Sequence, residues 1–163
     1  MDREQFIALA TAEQEPLRRF LLALCRGDRM EADDIAQEAL IKAWVASDSY
    51  RERGQFRTWL FTIAYHTLLD HAKRPRTERL DTLPDPPERT DDTCRADQAF
   101  RYEALYQALS QLPKGVRAAT LLYHIDGYST REIATITHSN PVTVRQQLHR
   151  GLKRLKEIMN HET

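Results

Sequence analysis

The sequence predicts an all-α fold: two small helical domains joined by a flexible, acidic, proline-rich linker, the second domain containing a helix-turn-helix. Three observations carry this. Apolar residues recur at spacings of three and four on both sides of the middle of the chain, the mark of amphipathic helices. In residues 75–97 that periodicity stops, Pro75, Pro84, Pro86 and Pro87 cluster, and acid accumulates, a composition that favours an extended or disordered segment over a packed one. Nowhere do apolar and polar residues alternate as a half-buried strand requires. The expected divisions are therefore 1–74, 75–97 and 98–163.

The elements follow in order. Glu15-Pro16 is a plausible helix start, because Pro suits the first helical position, and Leu17, Phe20, Leu21 and Leu24 follow as one stripe. Gly27-Asp28 breaks the pattern. A second helix is expected from Glu31 to Ala46, with Ala36, Leu40, Ala43 and Trp44 inward; Asp34, Gln37, Glu38 and Ile41 share a different face at i, i+3, i+4 and i+7. Tyr50 to Gly54 reads as a loop. A third helix from about Phe56 to Lys73 turns Phe56, Trp59, Leu60, Ile63 and Ala64 inward, yet it also carries Phe61, Tyr65 and Leu69 on another side. That is more apolar surface than a two-layer helix needs.

Beyond the linker, Leu105, Leu109 and Leu112 stripe a helix that Pro113 ends. Val116 to Ile125 forms a strongly apolar second, closed by Asp126-Gly127. Ser129-Thr130-Arg131-Glu132 is a capping-box pattern opening a short third, and Asn140-Pro141 places a cap before a Pro suited to the first turn of a fourth. The fourth continues through Val144, Leu148, Leu152 and Leu155.

Composition narrows the function. The 163 residues are 41% hydrophobic and 29% charged, as in a soluble globular protein. No apolar run approaches the roughly 20 residues that span a bilayer. Met1-Asp2-Arg3-Glu4-Gln5 lacks the basic-then-apolar pattern of a signal peptide. Cys25 and Cys94 fit no zinc or redox spacing, so a reducing cytoplasm is the simpler expectation, with a single bridge between them the alternative. Net charge is zero, but 98–163 carries 9 Lys/Arg against 5 Asp/Glu, while 75–97 carries 4 against 7. Only part of such a chain is suited to phosphate.

That part includes the helix pair near the C-terminus, one helix short and one long and basic, which makes a helix-turn-helix candidate. The second helix offers Arg145, Gln146, Gln147, His149, Arg150, Lys153, Arg154 and Lys156. Arg and Gln can each make two hydrogen bonds to one base edge; Lys153 and Arg154, further along, are better placed for phosphate. A solvated basic face on an ordinary helical hairpin explains the same residues.

Four motifs in order separate these readings. Ala32-Asp33-Asp34-Ile35-Ala36-Gln37-Glu38-Ala39-Leu40-Ile41-Lys42-Ala43-Trp44 resembles sigma region two, and Gly54-Gln55-Phe56-Arg57-Thr58-Trp59-Leu60-Phe61-Thr62-Ile63-Ala64 resembles that region's next stretch. Leu112-Pro113 with Gly127-Tyr128-Ser129-Thr130-Arg131-Glu132-Ile133-Ala134 resembles region four, as does Thr143-Val144-Arg145 followed by Leu148-His149-Arg150-Gly151. Order, spacing and linker agree. With no other sigma regions present, the chain is similar to the extracytoplasmic-function (ECF) sigma factors, which keep regions two and four alone.

The resemblance implies roles. Asp34, Gln37, Glu38 and Ile41 would dock on the clamp helices of the largest subunit of core RNA polymerase; region four would meet the flap of the second-largest. The Tyr50–Gln55 loop and the third helix would meet the non-template strand of the minus-ten element, where an unpaired base needs aromatic and polar groups to hold it. Tyr65 and His66 lie at the family's base- or backbone-contacting positions, the family often having Asn in place of His66; for Tyr65 a core role is equally open. Arg51, Arg53, Arg57, Lys73 and Arg74 are candidate phosphate contacts. Arg145, Gln146, His149 and Arg150 match positions that read the minus-thirty-five element. An anti-sigma partner is expected, and a membrane-bound one would hold this cytoplasmic protein at the membrane.

Two features depart from the pattern. Besides His66, Thr137-His138 stands where the family usually has Leu-Gly; apart from the family pattern, Gly151 is unusual in mid-helix and should cost about 1 kcal/mol relative to Ala. Two rivals remain: a helix-turn-helix regulator with an N-terminal ligand or dimerisation domain, and a metal-dependent nuclease. The first leaves the acidic motif before an aromatic helix unexplained. Against the second, the six histidines form no His-x-x-x-His pair or Cys/His cluster, and the acids at 33, 34 and 38 read more simply as an exposed helix face. No catalytic residue, metal ligand set, cofactor or small-molecule substrate is expected.

Overall fold

The computed structural model describes residues 1–50, 55–73 and 96–161, without the side chains of 96–102 and 161. Arg51, Arg53, Arg74, Cys94 and nearly all of the expected linker lie outside the described residues. Seven α-helices are described: α1 (Arg3–Leu24), α2 (Arg29–Val45), α3 (Phe56–Lys73), α4 (Ala96–Ser110), α5 (Lys114–His124), α6 (Thr130–Thr137) and α7 (Pro141–His161), with a short 3-10 turn at Ser47–Ser49.

The first helix starts far upstream of the expected Glu15-Pro16. Asp2 accepts from the Gln5 N–H at 2.8 Å and the Gln5 side chain reaches back to the Asp2 N–H, a reciprocal cap. Pro16 sits inside α1, where a missing donor and a ring clash ordinarily cost about 3 kcal/mol. The helix tolerates it because both of its halves are anchored: Leu17, Phe20, Leu21 and Leu24 are buried as expected, and Phe6 at the other end packs edge-on against Phe56 and beside Trp44. Gly27, at φ +86°, donates to Leu22 and ends the helix; Asp28 then caps α2 through the Glu31 N–H.

In α2 the buried stripe is Ala32, Ile35, Ala39 and Ala43, whereas Trp44 is 42% exposed and Ala36 and Leu40 are half-buried. The expected inner stripe is thus corrected by about one position. Small alanines let α2 lie close against α1 and α3, and Trp44 covers the edge of that junction from outside. The third helix and the caps of the last two match the sequence reading. Ser129 and Glu132 exchange hydrogen bonds with each other's backbone, and Asn140 accepts from Thr143 at 2.9 Å. His138 adopts the left-handed conformation at φ 52°, ψ 42°, and so makes the turn between α6 and α7.

Gly151 has a packing reason. A Cβ there would lie 2.3 Å from Thr120 Oγ1 and 3.2 Å from Val116 Cγ1, so α7 crosses α5 at a distance only glycine permits. Thr120 is itself buried and tied to the Val116 carbonyl at 2.7 Å, which leaves it little room to yield.

The second apolar side of α3 is explained by the packing of α6 and the α5–α6 turn against it. Phe61 stacks on Phe20 of α1 (centroids 5.3 Å) and meets Tyr128, just before α6, at 5.5 Å. Both groups of helices contribute to one continuous buried core. Arg117 of α5 is 2% exposed and donates to four carbonyls: Leu109, Ser110 and Leu112 around the end of α4, and Leu24 at the end of α1. A guanidinium lying where two helices expose unpaired C-terminal carbonyls satisfies both their orphan acceptors and their dipoles.

Candidate nucleic-acid interface

The basic face of α7 is built as the sequence suggests. Arg145, Gln146, His149 and Arg150 are exposed and, with Val142, line an open concavity of about 440 Å³. The buried side of the same helix, Val144 and Gly151 with half-buried Leu148 and Leu155, fixes its rotation against α5 and α6. Lys153 is exposed; Arg154 is exposed and bridges to Glu157 at 3.3 Å. The neighbouring side chain Gln147 does not join this face: it is half-buried and packs toward Gly115.

On α2, Asp34, Gln37 and Ile41 are exposed, Ile41 at 64%. Glu38 differs. It is half-buried, hydrogen-bonds His71 of α3, and meets Lys42 at 3.4 Å. The hydrogen bond from His71, more than the charge of Lys42, holds its carboxyl below the usual carboxylate range. Three members of the predicted face are thus free to meet a partner, and the fourth ties α2 to α3.

Of the α3 candidates, Arg57, Tyr65 and His66 are engaged by other parts of the protein, whereas Lys73 is open. Arg57 donates to the Asp126 carbonyl at 2.9 Å, meets the Asp126 carboxylate at 3.7 Å and Glu13 at 3.4 Å, and lies 4.6 Å over the Tyr128 ring. His66 packs on His138, ring centroids 3.9 Å apart and planes at 33°. Burial, followed by the neighbouring His138, pushes the His66 imidazole below its ordinary value. Tyr65 is 6% exposed and belongs to the core, edge-on to His66. Lys73 is exposed at the end of α3. Arg51, Arg53 and Arg74 lie outside the described residues.

Sequence reasoning missed the partners of these groups. Asp126 is buried, with Arg19 and Arg57 each 3.7 Å from its Oδ1; burial outweighs both and pushes its carboxyl up to about 6. Thr58 donates to Glu132 at 3.4 Å. The signal was present in the surplus apolar side of α3, which implied a further packing partner without naming it. Cys25 is a free, half-buried thiol, pushed up to about 12 mainly by burial. Among the described residues no group of three or more His, Cys, Asp or Glu is placed to hold a metal, and no described helix is long and apolar enough to cross a membrane.

The arrangement pairs an exposed acidic and apolar face on α2 with a basic face on α7, and the chain is similar to known proteins in sequence and fold. The family described as sigma-70 region 2 matches residues 9–78, and the family described as sigma-70, region 4 matches residues 102–155. The chain is 29% identical over 138 residues to the ECF RNA polymerase sigma factor SigE of Mycolicibacterium smegmatis, covering 82% of this chain and 53% of that protein, so it spans about half the length of that relative. It is 31% identical over 144 residues to the RNA polymerase sigma-H factor of Pseudomonas aeruginosa, covering 81% of this chain and 75% of that one. Its fold resembles that of the sigma factor RpoE solved in complex with the anti-sigma factor NepR from Bartonella quintana (TM-score 0.74, 22% identity, 96% of this chain and 98% of that chain). Two sigma-70 regions in order, over most of the chain and in the expected fold, place it in a family: the chain belongs to the ECF RNA polymerase sigma factors.

Proposed function

We propose that this chain binds core RNA polymerase and directs promoter-specific initiation, with 1–74 acting as region two, 75–97 as the linker and 98–163 as region four. One observation carries the reading furthest: α7 presents Arg145, Gln146, His149 and Arg150 on a single exposed face, set by the left-handed turn at His138 and the Asn140 cap. A helix so presented fits the major groove, with Arg and Gln at base edges of the minus-thirty-five element and Lys153 and Arg154 on phosphate.

Asp34, Gln37 and Ile41 dock the polymerase clamp helices, charges pairing around an apolar contact, with Glu38 setting the α2–α3 angle beneath them. Region four meets the polymerase flap. In the minus-ten element His66 contacts an unpaired base or its backbone, Tyr65 supports it from the core, and Arg51, Arg53, Arg57, Lys73 and Arg74 hold phosphates. The protein works by binding rather than catalysis, takes no cofactor, and resides in the cytoplasm. An anti-sigma factor is a further partner, as for the Bartonella relative of the same fold. The regulator rival leaves an exposed Asp34–Gln37–Ile41 face without a purpose. Run-off transcription by purified chain and core polymerase over a promoter library tests the proposal: start sites absent with core alone support it, and none overturns it.

A further inference from the structure

We propose that His66 and His138 form a latch that holds region four over the minus-ten-reading face of α3 and keeps the free protein self-inhibited. The inference rests on the assignment of α3 to the minus-ten element. The sequence's two departures from the family pattern, His where Asn is frequent and His where Gly is usual, turn out to touch each other at 3.9 Å across the two domains. His138 occupies a left-handed position that Gly fills at least cost. The imidazole there has a use that glycine cannot supply: it covers the ring of His66.

The α5–α6 turn and α6 engage further α3 groups. Arg57 is held by Asp126 and Glu13 and covered by Tyr128, and Thr58 is bound to Glu132. In this state these side chains face protein rather than nucleic acid.

The seam is also built to part. Among the described residues five buried side-chain polar atoms make no hydrogen bond, and four of them, Arg57 Nε, His66 Nε2, Asp126 Oδ1 and Tyr128 OH, lie along it. His66 Nε2 and Tyr128 OH regain water or a new partner on opening, which offsets part of the cost of exposing the apolar surface between the domains, whereas Arg57 Nε and Asp126 Oδ1 are ion-paired, with Glu13 and with Arg19 and Arg57. Geometry requires the parting. Elements named for positions minus ten and minus thirty-five are about 25 base pairs apart, or about 85 Å along B-DNA, whereas a compact chain of this length is about 40 Å across. The 22 residues from 74 to 95 have a contour length of about 75 Å, enough to let the domains separate to that order. Asp34, Gln37 and Ile41 stay exposed while the seam is shut, so core polymerase can make a first contact with α2, but full affinity, with region four on the flap as well, needs the seam open.

His138→Gly and His138→Asn test the latch. Both residues tolerate the left-handed turn, so α6 and α7 keep their caps while His66 is left uncovered. Dyes are placed on Glu4→Cys and Lys156→Cys in a full-length chain with Cys25→Ala and Cys94→Ser. Energy transfer reports domain separation, and titration with core polymerase reports affinity. Each His138 variant should raise the separated-to-closed ratio about two- to tenfold, the size of one ring–ring interaction, and tighten core binding in proportion to the competent fraction added. Unchanged separation overturns the latch. Greater separation with unchanged core affinity overturns its inhibitory role. The DNA assignment of α3 is judged apart, by Arg57→Ala in assembled holoenzyme on duplex and premelted templates: a defect there with unchanged separation in the His138 variants means the latch alone has failed.

Discussion

The guanidinium of Arg117 donates to the carbonyl of Leu24, 93 positions earlier in the chain, at 3.1 Å, and the same group closes the end of α4 through Leu109, Ser110 and Leu112. One buried cation therefore fixes the α4–α5 corner within region four and joins that corner to the end of α1. Arg117→Met keeps most of the side-chain volume but strands three acceptors, the carbonyls of Leu24, Ser110 and Leu112, while that of Leu109 keeps the Leu112 N–H. It should lower stability by about 3 kcal/mol or more, read as a fall in the urea midpoint. A loss under 1 kcal/mol would mean that water replaces the guanidinium without penalty.

Gly151→Ala separates local propensity from packing. On an exposed helix the change should add about 1 kcal/mol. Here the new Cβ meets Thr120 Oγ1 at 2.3 Å, so α5 and α7 must part, and we expect a net loss of about 1–3 kcal/mol. Gly151→Ala with Thr120→Ala should recover most of it. Denaturation of the three variants measures this; a stabilised single variant contradicts the account of the crossing.

Acid acts on the seam in two opposed ways. Burial raises the Asp126 carboxyl from an ordinary 3.8 to about 6, against Arg19 and Arg57, with Glu13 adding to the rise. The closed state therefore takes up a proton more readily than the open one. This favours closure by up to about 2–3 kcal/mol, fully below pH 3.8 and not at all above about pH 6. The His66 imidazole is lowered by burial and by His138, against the Ile136 backbone and Asp70. Closure then rejects the proton, and opening is favoured as pH falls below 6.5. Wild type should respond weakly. Asp126→Asn should open as pH falls from 7.5 to 5.5, and His66→Asn should close over the same range, in the same energy-transfer assay. Slopes of one sign in both variants would contradict the opposition.

The helix proposed to face polymerase, α2, gives a clean variant and a mixed one. Asp34 is exposed and bound to nothing the structure shows, so Asp34→Lys should weaken core binding at least tenfold with helix content and melting unchanged. Glu38→Lys should weaken binding and also lower stability, because it removes the hydrogen bond with His71 and sets a Lys beside Lys42. Binding and thermal melting of both variants distinguish the two. Undiminished core affinity in Asp34→Lys would remove that face from the docking site.

Much of this was legible in the chain, for reasons that differ by element. α3, α6 and α7 were readable because local chemistry decides them: a 3.6-residue stripe, a capping box at Ser129 and Glu132, and Asn140-Pro141. The exposed basic face of α7 was readable because Arg145, Gln146, His149 and Arg150 had no apolar competitor on their side of the helix. The start of α1 was not, because Pro16 is the stronger local signal and only tertiary anchoring of Phe6 extends the helix past it. The stripe on α2 was misjudged because Trp44 outweighs alanine in any hydrophobic pattern, whereas close helix approach selects Ala39 and Ala43. The seam could not be read at all. Asp126, Tyr128, Glu132 and His138 meet α3 only through the fold, and nothing in the spacing of His66 and His138 announces that their rings meet.

Transcription from duplex and premelted templates, by holoenzyme reconstituted with each variant, tests the central claim most directly: that this chain recognises duplex DNA through α7 and opens it through α3. Arg145→Ala and Arg150→Ala remove contacts to duplex DNA, each worth about 1–3 kcal/mol. They should depress closed-complex formation and remain impaired when the minus-ten element carries a mismatched bubble. On the proposed assignment, His66→Ala and Arg57→Ala act on the separating strand. Recruitment should largely survive them, melting should fail, and the bubble should restore most of the missing activity. Equal rescue of both pairs would contradict the assignment of the two domains to these two steps.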